Sequence, residues 1–172
     1  MRKLIPVLAT RLCLGVFALS AMTFGAHAAT PLTTTYPVLT HEGAQVAVQA
    51  AEHMMVALKA PGAIAVVDTT GNLLAFERPD GVRVGSIDLA IGKARSAALL
   101  QRPSEQLEDN VNKGRTAFVT AGFLSLRGGM PIRVNGQVVG AIGIAGMNSE
   151  NDAKIATAAA QQVEAESEAA AH

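Results

Sequence analysis

Tryptophan is missing from this chain of 172 residues, and tyrosine and cysteine occur once each. The lone cysteine, Cys13, has no partner within the chain, so no intrachain disulfide can staple the fold and stability must come from packing or assembly. Charged residues make up only 16% of the chain and balance to zero, which leaves no basic stripe for nucleic acid or an anionic membrane surface. The spacings HExxH, G-x-G-x-x-G and G-x-S-x-G do not occur, so no zincin helix, dinucleotide loop or nucleophile elbow is written in the sequence. A membrane anchor would need about 20 uninterrupted apolar residues, and Arg11 divides the stretch from Leu4 to Phe24.

What the N-terminus does have is Arg2 and Lys3, then a mostly apolar run from Leu12 to Phe24, then the small-residue stretch Ala26-His27-Ala28. These are the three parts of a secretory signal, and they predict cleavage after Ala28 with a periplasmic or secreted product. A lipid anchor would need a cysteine just after a small-residue box, whereas Cys13 follows Thr10-Arg11-Leu12. Cleavage removes Arg2, Lys3, Arg11 and Cys13, leaving residues 29–172 with three more acidic than basic side chains. That balance disfavours nucleic acid as a partner, and no membrane association is expected after cleavage. The remaining length suits a single domain.

Residues 29–39, rich in Thr and Pro, read as a flexible lead-in, and the domain is expected over 40–165 with a disordered tail at 166–172. Thr40 is a candidate N-cap, and Ala47, Ala51, Met54, Met55 and Leu58 recur at the spacing of one buried helical stripe that Pro61-Gly62 ends. Ala63 to Val67 predicts a strand buried on both faces, and Asp68 to Asn72 a turn into a returning strand that stops at Arg78-Pro79-Asp80-Gly81. Ser86 reads as the N-cap of a second helix with Ile87, Ala90, Ile91, Ala94 and Ala98 inward, and Ser104 opens a shorter helix through about Asn112. Residues 117–126 read as a loop with a short strand. Met130 to Val134, Asn135-Gly136 and Gln137 to Ala145 form the strongest hairpin signal, since Asn-Gly suits a type I′ turn, and a last helix follows from Ser149 or Asn151. The order α-β-β-α-α-β-β-α predicts an α+β fold in which two β-hairpins build an antiparallel sheet with helices packed on it.

Chemistry-bearing residues are few. Gly140, Gly143 and Gly146 are spaced GxxGxxG, which fits close backbone packing and not a phosphate cradle. Three histidines follow the signal, His41, His53 and His172, and none pairs with another at metal-ligand spacing. At 100° per residue His53 points away from its helix's buried stripe, toward the side of Glu42 and Gln49. It is either a solvated surface histidine or an imidazole free to bind a metal in a pocket between subunits. Arg78, Arg83, Lys93, Arg95 and Arg127 could meet carboxylates of a ligand, though each alone reads as a solvated charge. Asp88, Lys93 and Arg95 are the polar groups an enzyme would use.

Ala65-Val66-Val67-Asp68 with Gly71-Asn72, Arg78-Pro79-Asp80-Gly81, and Ser86-Ile87-Asp88 through Lys93-Ala94-Arg95 occur in order before Arg127-Gly128-Gly129-Met130-Pro131-Ile132 and Val139 to Gly146. From about Thr40 to Val163 the chain thereby resembles the HbpS/GlcG-like haem-binding family, related to the C-terminal domain of PduO-type proteins. The resemblance implies an antiparallel α/β sandwich, homo-oligomers, and haem b binding in some members, linked to haem sensing or degradation. It implies His53 as the axial ligand of the iron, with His41 as second candidate, and Arg78, Arg95 and Arg127 as partners of the propionates. The chain departs from many relatives in having Pro79 where a methionine commonly precedes the Asp-Gly turn. Two other readings stay open: a haem-degrading or small-metabolite enzyme, and a ligand-free oligomeric interaction module.

Overall fold

The computed structural model describes residues 32–170, so the expected signal peptide 1–28 and His172 lie outside the described residues. The chain divides into Met1–Thr34 and Thr35–His172, and the fold described here is that of the second unit. It runs α1 (His41–Leu58), β1 (Ala63–Asp68), β2 (Leu73–Glu77), α2 (Ser86–Leu100), α3 (Glu105–Asn112), α4 (Ala117–Thr120), β3 (Gly129–Val134), β4 (Gln137–Ala145) and α5 (Ser149–Ala170). The two hairpins join into one antiparallel sheet in the order β2-β1-β4-β3, with β1 paired to β4 from Ala63↔Ala145 to Asp68↔Gly140. The α+β class, the antiparallel sheet and the order of its elements are as the sequence predicts, with α4 as an addition.

Side chains alternate across the central strands by size. Ile64, Val66, Ile142 and Ile144 point to the face covered by α1 and α5, where they meet Ala47, Ala51, Ile155 and Ala159. Ala63, Ala65, Val67, Ala141 and Ala145 point to the other face, against Ala90, Ala94, Ala97 and Ala98 of α2. On that face the helix comes so close that a Cβ on Gly143 would lie 2.1 Å from the Ala90 carbonyl oxygen, and one on Gly129 would lie 2.2 Å from that of Lys93. The glycines at 129 and 143 thus set helix-to-sheet distance, which is the packing role expected for the glycine-spaced strand.

Local chemistry sets the ends of the elements. Thr40 caps α1, its Oγ1 accepting from Gly43 N at 3.1 Å. Asn135 and Gly136 take φ of 50° and 75°, the left-handed pair that a type I′ hairpin turn requires. Four local expectations are corrected. Gly85, not Ser86, is the N-cap of α2, and Ser86 is its buried first residue. Residues 117–120 form a helical turn, with no strand in 117–126. Leu39, the last residue of the supposed lead-in, is buried, and its N–H donates to Val139 O at 2.8 Å. Residues 166–170, expected as disordered tail, continue α5. Among the described residues no helix is long and apolar enough to cross a membrane.

Candidate functional site

Because Ala44, Ala47, Val48, Ala51 and Met55 take the buried side of α1, His53 is left exposed on its outer side, as the helical period predicts. It does not stand on a flat surface. A groove of about 320 Å³ runs between α1 and α5, floored by Val46, Ala50, Met54 and Ala158 and rimmed by Gln49, His53, Gln162 and Glu166. Gln162 Nε2 donates to Glu166 Oε1 at 2.9 Å across one turn of α5, so these two polar groups satisfy each other. The His53 ring makes no hydrogen bond or ion pair among the described residues, which leaves its nitrogens available. A second cleft, of about 400 Å³, shares Val46 and Glu166 with this groove and is walled by Val38, Leu39, Val139 and Val163.

The other predicted residues are not gathered there. His41 is the exposed first residue of α1, about 18 Å from His53 along the axis at 1.5 Å per residue, so the two cannot serve one iron. Arg78 Nη1 donates to Val82 O at 2.6 Å and so closes the turn after β2. Arg95 lies on α2, across the sheet from α1, with its Nε donating to Gly71 O at 2.9 Å. Arg127 is paired with Glu108 and Glu150 and lies 3.5 Å from Asp109. The Glu108 carboxylate, helped less by Glu150 and Asp109, pushes the Arg127 pKa above the usual guanidinium value. Glu150 begins α5, about 12 Å of helix away from Ala158 in the groove. None of the three arginines lines the groove beside His53.

Nor do Asp88, Lys93 and Arg95 converge. Asp88 is exposed in the first turn of α2, whereas Lys93 is buried, its Nζ donating to Asp152 Oδ2 at 2.9 Å and to Ile144 O at 2.7 Å. Asp152 Oδ1 in turn accepts from Gly146 N at 2.9 Å. This pair fastens α2, the end of β4 and the start of α5 to one another, and its ammonium is engaged in structure. The sequence does not reveal it, since its members are 59 residues apart.

Two carboxyl environments are perturbed. Glu77 is pushed above the ordinary carboxylate value by hydrogen bonding with Glu52, and further by burial and by the like charge of Glu52. Burial pushes Asp68 up, but hydrogen bonds from Thr70 and Asn72 outweigh it and hold the carboxyl below its usual value. Both are at the β1–β2 hairpin. Among the described residues no group of three His, Cys, Asp or Glu side chains could hold a metal ion.

A mixed-size sheet enclosed by α1 and α5 on one side and α2 on the other defines an α+β sandwich domain with an open groove on its two-helix side. The family model described as "Haem degrading protein HbpS-like" matches residues 39–161, and the chain belongs to the HbpS-like family. It is 49% identical over 82 residues to protein GlcG of Escherichia coli, in a match covering 47% of this chain and 61% of that protein, so it spans about three fifths of that relative's length. A doubly substituted HbpS from Streptomyces reticuli is similar in structure at 33% identity, with a TM-score of 0.68 over 78% of this chain and 97% of that one. The PduOC:heme complex shares the fold at 24% identity, with a TM-score of 0.66 over 73% of this chain and 94% of that one.

Proposed function

We propose that this chain is an exported haem-binding protein, serving haem sensing, storage or scavenging, in which His53 is the axial ligand to the iron of haem b. The observation that carries this reading is an exposed, unengaged imidazole on the rim of an apolar-floored groove. A neutral imidazole is an ordinary ligand of haem iron, and an apolar floor suits a macrocycle. The family description, which names haem, and the haem complex of a protein sharing the fold support it further.

The groove fits part of the group. At about 320 Å³ it is near the small end of ligand sites, which run from about 300 to 1,000 Å³, so one subunit would hold only part of the group. Glu166 is the only charged side chain on its rim, and a carboxylate repels propionates. Propionates would therefore find no cation of the same subunit on this rim. Arg78, Arg95 and Arg127, engaged by Val82 O, Gly71 O and Glu108, do not line this groove. Haem would supply the iron and its redox chemistry, while this chain supplies the imidazole, the apolar floor and the exclusion of water.

Titrating purified protein with hemin and recording the Soret band tests the reading. Wild type shifts the band, His53→Ala does not, and His41→Ala behaves as wild type. A His53→Ala variant that binds like wild type removes His53 from the role. Haem degradation is the second reading, favoured by the family description, and loss of the Soret band with release of iron on adding a reductant distinguishes it. Export is checked by the mass of the mature protein, expected to begin at Ala29.

A further inference from the structure

A pocket of about 60 Å³ lies at the N-terminus of α2, between Pro61 after α1, the turn from Gly81 to Ser86 and Gly146 after β4. It shares no residue with the groove beside His53. Ser86, the first residue of α2, is 2% exposed, yet its hydroxyl has no hydrogen-bond partner among the described residues. The unpartnered side-chain atoms that are sealed from solvent are Arg102 Nε and Ser125 Oγ, so Ser86 Oγ is open to the pocket it lines. An unmade hydrogen bond at a buried hydroxyl calls for a partner from outside the chain. Arg83, the one charged side chain of the lining, reaches only Gly146 O at 3.4 Å, longer than an ordinary N–H···O bond, and has no ion pair among the described residues. The helix also begins at Gly85 without a side-chain cap, which leaves first-turn N–H groups and the positive end of its dipole on this side. Asp80 and Asp88, the nearest acids in sequence, do not line the pocket.

We propose that this pocket binds the carboxylate group of a small organic acid, which accepts hydrogen bonds from Ser86 Oγ and the Arg83 guanidinium at the N-terminus of α2. Water occupies about 30 Å³ per molecule in the liquid, so the pocket has room for roughly two waters, the size of one carboxylate. The remainder of the acid leaves past Met147, which is 79% exposed. A single planar guanidinium matches a planar monoanion in both shape and charge, and a phosphate dianion would be left half neutralised. The walls are formed in advance. Arg78 Nη1 holds Val82 O at 2.6 Å, and Ser86 N donates to Arg83 O at 3.0 Å, so the turn that carries both recognition groups is fixed by its own hydrogen bonds. The inference rests on this pocket alone and does not depend on haem.

Amide NMR spectra of the protein titrated with acetate, at constant ionic strength balanced by chloride, test it. Saturable shifts should appear at Ser86 to Leu89 and at Gly146, and not at Gln49 to Met54 beside the other groove. Arg83→Gln and Ser86→Ala should each raise the dissociation constant about tenfold or more, whereas His53→Ala and Lys113→Gln, a surface cation elsewhere, should leave it unchanged. Arg83 is exposed, so its variant keeps the fold and decides the matter even where Ser86→Ala does not fold. The absence of saturable shifts, or shifts that persist undiminished in Arg83→Gln, overturns the proposal. So does inorganic phosphate that moves the same amides at lower concentration than acetate, because the pocket would then select a dianion.

Discussion

The two faces of the sheet are both dry and apolar, yet they are packed by opposite means. Under α1 and α5 the strands present Ile64, Val66, Ile142 and Ile144, and the helices are held off at the distance of branched side chains. Under α2 they present mostly alanines, with Val67 and Gly143, and the helix backbone itself touches the strand. The first face derives its stability from buried volume, each fully buried isoleucine being worth about 1.5–3 kcal/mol. The second depends on small side chains that allow close approach and on one buried ion pair, Lys93 with Asp152. The groove beside His53 opens on the first face, where the two helices meet across long side chains.

The sharpest way to break this contrast is to add volume where there is none. Gly143→Val should prevent folding, and even Gly143→Ala, whose Cβ would lie 2.1 Å from Ala90 O, should destabilise by more than about 3 kcal/mol in urea unfolding. A Gly143→Ala protein of near wild-type stability would mean that α2 is free to retreat. Next in size is Lys93→Ala, which strands the Asp152 carboxylate in the interior and should cost about 3–5 kcal/mol. Replacing both members, Lys93→Met with Asp152→Leu, should recover most of that loss by the same measurement. Ile142→Ala on the large-residue face should cost about 2–5 kcal/mol through the cavity it leaves.

The contrast was partly written in the sequence. β4 reads Ala141-Ile142-Gly143-Ile144-Ala145, an alternation of small and large that is invisible to a polar-apolar reading because every residue is apolar. The hairpin at Asn135-Gly136 was legible because two left-handed residues in a row leave few other choices. The helical stripe of α1 was legible for the same reason that His53 was seen to face outward, namely its period. Residues 117–120 lacked any such period, and Leu39 gave no local sign that its partner would be Val139, 100 positions later. Three of the groove's eight lining residues, Ala158, Gln162 and Glu166, come from α5, and nothing in the residues of α1 points to them. Glu77 and Glu52, on different elements, are likewise a tertiary meeting.

That acid pair gives a smaller effect with a definite sign. A carboxyl whose pKa is raised by folding holds its proton more tightly in the native state, so its contribution is full below the ordinary carboxylate pKa and is lost as pH climbs through the raised value. Wild type should therefore lose stability relative to Glu77→Gln between about pH 4 and neutrality, by no more than a few degrees in Tm, and the two should converge in acid. Parallel melting curves across the pH range would expose the reverse trend as readily.

The smallest expected change in stability is at the residue on which the functional reading depends. His53 is exposed, makes no hydrogen bond among the described residues and caps no helix, so His53→Ala should alter unfolding free energy by less than about 0.5 kcal/mol. Loss of the hemin Soret shift in a variant with an unchanged melting curve would then report a missing ligand and not a damaged fold. Ala50→Glu sharpens the comparison, because it places a charge on the groove floor while leaving the imidazole in place. Hemin binding should weaken there too if the ring lies over the floor, and should persist if His53 holds iron from the rim without the groove.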